Sequence, residues 1–238
     1  GTGTGSGGGT SGNSGGPITE LFDIGDSSVR VAYGQVGYLG IEKGFAYNID
    51  AVRVGYEAGG GDSLTPSQET MVGKYAGRYG DTKYRSIGLG QYACAYTGGE
   101  YNVGIGQQAM YASAGDRNVG IGYLAGSRGT PDDGVPYGGG SYNTFVGDAC
   151  GYKFVSDYNT FVGGFAAMEA TGNLNAGLGY GAFKGGDGLR NTTLGYEAGE
   201  NVVGDANVCI GFGAGGNTIG DQNIYIGYNL SFNETQDS

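Results

Sequence analysis

The sequence predicts an all-β chain, a parallel β-roll (β-solenoid) made of sixteen-residue coils. Three observations carry this expectation. One Gly recurs at 90, 106 and 122, then at 147, 163, 179, 195, 211 and 227, and every step is 16 except that from 122 to 147. Three columns travel with that Gly: Asn four residues before it, an aliphatic residue one before it, and Ala or a small substitute three after it. Gly makes up 56 of the 238 residues, which in a periodic chain marks turns and close backbone approach rather than disorder. A fixed short period means that each unit is one coil of a stack and cannot bury its apolar side alone. Sixteen residues suit two strands of about five plus two turns, and are too few for a helix pair.

The elements follow in chain order. Residues 1–16, GTGTGSGGGTSGNSGG, read as a flexible Gly-rich linker to something ahead of it, an anchor or another domain. Residues 17–83 read as degenerate N-terminal coils, with SVRVAY at 28–33, AVRVGYEAG at 51–59 and ETMVGKYAG at 69–77 as loose copies. Outer repeats of a stack are expected to degenerate where it is capped or joined. Residues 84–231 read as regular coils interrupted by an inserted loop, 127–141, and residues 232–238 as a C-terminal tail.

Each column has a physical reading. Parallel strands stacked in register place identical residues about 4.8 Å apart. The Asn residues at 102, 118, 143, 159, 175, 191, 207 and 223 are expected to hydrogen-bond along a structural ladder. The aliphatic column (Leu89, Ile105, Ile121, Val146, Val162, Leu178, Leu194, Ile210, Ile226) is expected to form a continuous core. The Ala column (Ala93, Ala109, Ala125, Cys150, Ala166, Ala182, Ala198, Ala214, closed by Leu230) implies a flat, narrow coil. Phe145, Phe161 and Tyr225, with Tyr123, Tyr180, Tyr196, Phe212 and Tyr228, are expected to point outward and to be buried against sister rods, which makes the chain a homo-oligomer.

The segments NVGIG, NTFVG, NAGLG and NVCIG resemble the repeats of YadA-like trimeric autotransporter heads, and YNTFVG…AG is similar to repeats in bacteriophage tail fibres. The resemblance covers 84–231 well and 28–77 loosely. It implies a left-handed roll, a parallel homotrimer, an extracellular place on a virion or cell surface, and a structural fibre or adhesin function with a host-surface glycan or protein receptor. The coil is longer than is usual in the autotransporter heads, and no coiled-coil stalk or membrane-anchor barrel follows within residues 1–238. Both features favour a virion appendage, with the head of a bacterial surface adhesin as the alternative and a polysaccharide depolymerase tailspike as a third reading.

Composition narrows the chemistry. A net charge of −11 and a pI near 4.3 disfavour nucleic acid and anionic membranes as partners. No apolar run approaches the roughly 20 residues of a membrane span. With no signal peptide and no initiator Met, the sequence reads as a mature or partial chain. With no His, the commonest general base and metal ligand is missing. Neither an enzyme, a cofactor nor a metal site is expected. Cys94, Cys150 and Cys209 lie in different columns with no CxxC and read as buried free thiols. Four GxGxxA matches, at Gly88, Gly104, Gly120 and Gly177, arise from the repeat and lack the βαβ context of a dinucleotide site. Asp116, Asp157, Asp205 and Asp221, with Glu100, share the column six before the Gly and read as turn caps on their own backbone. Thr144, Thr160 and Thr192 are too scattered for an ice-binding array. Sequons stand at Asn191, Asn229 and Asn233.

The candidate site is the break in period. An insertion at one turn leaves the ladder intact and projects sideways, and binding on solenoids often sits in such loops. Pro131 and Pro136 stiffen it. Asp132, Asp133 and Tyr137 supply polar and aromatic contacts for a receptor or partner.

Overall fold

The computed structural model describes residues 52–59, 68–79, 85–129 and 140–231, together with the backbone of 29–32, 38–43, 50 and 51. It is an all-β solenoid, with no helix among the described residues. Three strands open it: β1 (Val29–Ala32), β2 (Tyr38–Lys43) and β3 (Asp50–Val54). Ten three-residue strands follow: β4 (Thr70–Val72), β5 (Ile87–Leu89), β6 (Val103–Ile105), β7 (Val119–Ile121), β8 (Thr144–Val146), β9 (Thr160–Val162), β10 (Ala176–Leu178), β11 (Thr192–Leu194), β12 (Val208–Ile210) and β13 (Ile224–Ile226). All thirteen form one sheet in sequence order. From β3 onward the pairing is parallel and in register, with Val103 beside Val119 and Val119 beside Thr144 across the insertion. The extra residues between 122 and 147 therefore leave the ladder unbroken. Eleven parallel strands span about 50 Å at the usual interstrand distance.

Three features differ from the sequence reading. First, β1, β2 and β3 form an antiparallel meander, so SVRVAY supplies a hairpin strand and not a coil. The first parallel step is β3 to β4.

Second, each coil holds one three-residue strand instead of two longer ones. After it the backbone turns with positive φ at every second residue: in one coil Gly90, Tyr92, Cys94 and Tyr96 have φ of 135°, 57°, 51° and 54°. No strand tolerates that alternation. Coil-to-coil hydrogen bonding persists through it, the N–H groups pointing alternately back and forward: Tyr92 donates to Lys74 O at 2.9 Å, Cys94 to Ala109 O at 2.9 Å and Tyr96 to Arg78 O at 2.8 Å. Among the described residues, a second side of extended pairing survives only as the bridges Thr171–Asp187–Val203–Ile219. The recurring Gly starts this turn, and there the requirement for Gly is absolute. A Cβ on Gly163, at φ +142°, would lie 2.2 Å from the carbonyl oxygen of Gly179 in the next coil.

Third, the core is one residue out of phase with the aliphatic column. Alternation along a strand sends residues four and two before the Gly to one face, and residues three and one before it to the other. The Asn column is buried, so its face is the interior. Phe145, Phe161, Cys209 and Tyr225, two before the Gly, are accordingly inside, while Val162 is only half-buried and Ile105, Ile121, Leu178 and Leu194 are exposed on the outer face. The Ala column is buried from Ala76 to Ala214, and Leu230 at its end is exposed.

Beside the strand the interior takes at most one substantial side chain per coil, apart from Phe154 and Val202, seven residues after their Gly, which fill a further part of the core. The side chain beside the strand comes either from two before the Gly or from four after it, and the opposing position is small. Met71 faces Gly77, Phe145 faces Gly151 and Phe161 faces Ala167. The order reverses at Gly104 with Met110 and at Gly177 with Phe183. Where both positions are Gly, at 120 and 126, the side chains of Met110 and Phe145 from adjacent coils fill the space. Phe145, Phe161 and Phe183 stack nearly parallel at 6.4 and 5.6 Å, with Phe154 edge-on at 5.5 Å from Phe145 and 5.8 Å from Phe161.

Candidate functional site

The buried polar groups belong to the scaffold. From Asn118 to Asn223, each Asn backbone N–H donates to the Oδ1 of the Asn one coil earlier at 2.8–3.0 Å, and Asn102 does the same to Ser86 Oγ at 3.2 Å. The Nδ2 groups of Asn102, Asn143, Asn175, Asn191 and Asn207 donate to turn carbonyls of the following coil at 2.7–2.9 Å. Each Asn thereby ties three coils together with groups that would be costly to bury unpaired. Asn191 spends its amide in this spine, so its sequon is closed in the folded chain. Asn229 is exposed, and Asn233 lies outside the described residues.

The carboxylate column forms a second ladder, running the opposite way. Glu100 N–H donates to Asp116 Oδ1 at 2.8 Å, Ser141 N–H to Asp157 at 2.7 Å, Leu189 N–H to Asp205 at 2.8 Å and Asp205 N–H to Asp221 at 2.8 Å. These side chains cap the preceding coil and not their own backbone as expected, because in-register stacking brings the same column of the preceding coil within hydrogen-bonding reach. Among the described residues no group of three or more His, Cys, Asp or Glu could hold a metal ion.

The three cysteines are buried and free. Burial pushes the Cys150 thiol up to about 12, against weaker backbone hydrogen bonds that favour the thiolate, and the Cys209 thiol to about 11. Both are thus protonated at neutral pH, when only a thiolate would be nucleophilic. Pro131, Asp132, Asp133, Pro136 and Tyr137 of the inserted loop lie outside the described residues. The Gly residues of the GxGxxA matches sit in coil strands and turns: Gly88 is buried inside β5 and Gly104 inside β6.

What faces solvent is more informative. The strands present two parallel apolar columns, one and three residues before the Gly. Ile105 is 36 % exposed, Leu178 52 %, Leu194 43 % and Ile226 60 %, with Ile87, Thr160, Ala176, Thr192 and Ile224 exposed beside them. Along the C-terminal coils a stack of rings adjoins this face: Tyr180, Tyr196, Phe212 and Tyr228 lie 5.0–5.2 Å apart with interplanar angles of 6–14°. Their planes therefore lie across the rod. Within the stack each ring covers a face of the next, while Tyr228 at its end is largely exposed.

A third exposed stripe occupies the column five before the Gly, as Arg85, Tyr101, Arg117, Tyr142 and Tyr158. The Arg117 guanidinium lies between two rings, 5.1 Å from the centroid of Tyr101 and 5.3 Å from that of Tyr142, and Tyr142 stacks on Tyr158 at 4.9 Å. The sequence reading did not single out this column. Its signal is the residue before each Asn, which is Arg or Tyr in most coils.

These features define a β-solenoid with a hydrogen-bonded Asn spine inside and an aliphatic face, a ring stack and an Arg/Tyr stripe exposed among the described residues. No protein-family model matches the chain, and neither curated proteins nor solved structures gave a match.

Proposed function

We propose that the chain is a structural module of an extracellular fibre or adhesin, most simply a virion appendage such as a phage tail fibre, and that it works as a homotrimer with the exposed aliphatic face turned inward between copies. The observation that supports this is that face. It runs along the coils as two continuous columns of Ile, Leu, Val, Thr and Ala, on a chain whose interior is already filled. An apolar surface of that extent wants a partner. Its ridges repeat at the coil spacing, so a partner of another period would fall out of step within a few coils. A second copy of the chain keeps step along the whole length. The aliphatic columns thus take the part that the sequence reading gave to the aromatic ones. The number three and the parallel direction rest on the resemblance of the repeats to trimeric heads and fibres.

Immunogold labelling with antibodies against residues 140–231 tests the location. Particles and cells of the source organism should be labelled on surface appendages. Label confined to the cell interior would overturn the reading.

A further inference from the structure

We propose that the stripe Arg85–Tyr101–Arg117–Tyr142–Tyr158 is a track for a linear acidic polysaccharide laid along the rod, one sugar residue per coil. This rests on the fibre or adhesin reading and adds the class of ligand.

The stripe is built as a row of donors. Arg117 Nη1 donates to Tyr142 OH at 2.8 Å, Arg85 Nη1 donates to Tyr101 OH, and Arg85 Nε donates to Gln68 Oε1 at 2.9 Å. The Arg85 guanidinium also lies 5.3 Å from the Tyr101 centroid. Neither Arg pairs with a carboxylate among the described residues, whereas Arg53, Arg78, Lys153 and Lys184 do. The rings hold both guanidinium groups in place, so little freedom remains to be lost on binding. Arg85 uses Nε and Nη1 in these bonds and Arg117 uses Nη1, so each guanidinium, with five N–H donors, keeps further ones of the kind that suit a carboxylate.

Charge along the rod makes this half the less acidic one. Residues 52–139 carry Arg53, Lys74, Arg78, Lys83, Arg85, Arg117 and Arg128 against Glu57, Asp62, Glu69, Asp81, Glu100, Asp116, Asp132 and Asp133. Residues 140–231 carry only Lys153, Lys184 and Arg190 against Asp148, Asp157, Glu169, Asp187, Glu197, Glu200, Asp205 and Asp221. Three carboxylates lie in the neighbouring column, Glu100, Asp116 and Asp157, and the last two have their Oδ1 occupied by a backbone N–H of the preceding coil.

Spacing points to the polymer. Arg85 and Arg117 are two coils apart, about 10 Å at the usual interstrand distance. The coil rise is close to the length of one extended pyranose residue. A sugar chain with a carboxylate on alternate residues would place its charges on Arg85 and Arg117, and a hydroxyl-bearing residue on Tyr101 between them. Tyr142 and Tyr158 continue the donor row. A single-stranded nucleic acid meets a poorer match, because neighbouring side chains already stack on the Tyr101 and Tyr142 rings on which bases would stack.

Binding of fluorescent hyaluronan fragments (uronate on alternate residues), with dextran and single-stranded DNA of similar length as comparisons, tests the proposal on the assembled protein. Hyaluronan should bind, dextran and DNA should not, and Arg85→Gln and Arg117→Gln should each weaken binding about tenfold or more. Sedimentation of the same variants should show an unchanged oligomer, which separates loss of the track from loss of the fibre assembly. The proposal is overturned if hyaluronan does not bind, if DNA binds equally well, if the two variants bind as the wild type does, or if they change the oligomer, which would make the stripe a contact between copies.

Discussion

At the scale of single residues, the stack depends on groups for which no substitute exists. The recurring Gly combines a φ near +140° with an oxygen of the next coil where a Cβ would be. Gly163→Ala should therefore cost about 3 kcal/mol or more and lower the melting temperature clearly, whereas alanine at the exposed Tyr158 should cost little. The Asn spine gives a second expectation. In Asn159→Leu, Asn175 N–H loses its acceptor and Asp157 O loses its donor, inside a dry interior. A loss of about 2–4 kcal/mol in denaturant unfolding is expected. The thiols give a third. Their folded pKa values lie above the ordinary value of 9.0, so their contribution to stability is complete below pH 9 and is lost as the pH rises toward 11 and 12. Cys150 and Cys209 should resist a thiol-specific dye at pH 8 in the native protein and react at once after unfolding. Rapid native labelling would show that they are not buried as described.

At the scale of one coil, complementarity between two positions replaces a fixed hydrophobic column. Gly104→Met alone places its side chain against Cys94 and Met110 and should destabilise. Adding Met110→Gly vacates part of the same space, so the double variant should be more stable than Gly104→Met by about 1–3 kcal/mol in a double-mutant cycle. Additive losses would refute the idea of one large side chain shared between these two positions. The sequence shows the coil period, the Gly, Asn and Ala columns, and the continuity of the ladder across the insertion, because each imposes one residue type at one position. It does not show the phase of the core by hydrophobicity alone. The aliphatic column is constant and exposed, while the buried column varies from Gly to Phe and is balanced four residues after the Gly. Parity was the available signal: a buried Asn fixes which alternate residues share its face. The missing second strand was hidden for a related reason. Positive φ at residues such as Tyr92, Met110 and Phe165 is enforced by coil-to-coil hydrogen bonding and not by local propensity. The antiparallel start likewise depends on pairing between Val29–Ala32 and Tyr38–Lys43, which no period announces.

At the scale of the whole molecule, the interior is complete and the outside is not. Two ladders of side-chain to backbone hydrogen bonds run in opposite directions along the stack, and apolar side chains fill the core between them. The surface carries an aliphatic face, a ring stack on the C-terminal coils and an Arg/Tyr stripe on the N-terminal ones. The central claim is that the aliphatic face joins copies of the chain. Sedimentation velocity at micromolar concentration, on the wild type and on Leu178→Asp, tests it most directly. Because Leu178 is exposed on the single chain, its replacement should spare the fold of a coil and act on assembly. The wild type is expected at three times the 24.1 kDa chain mass, and Leu178→Asp at a smaller species. A wild type that stays a soluble, folded monomer at that concentration would contradict the account.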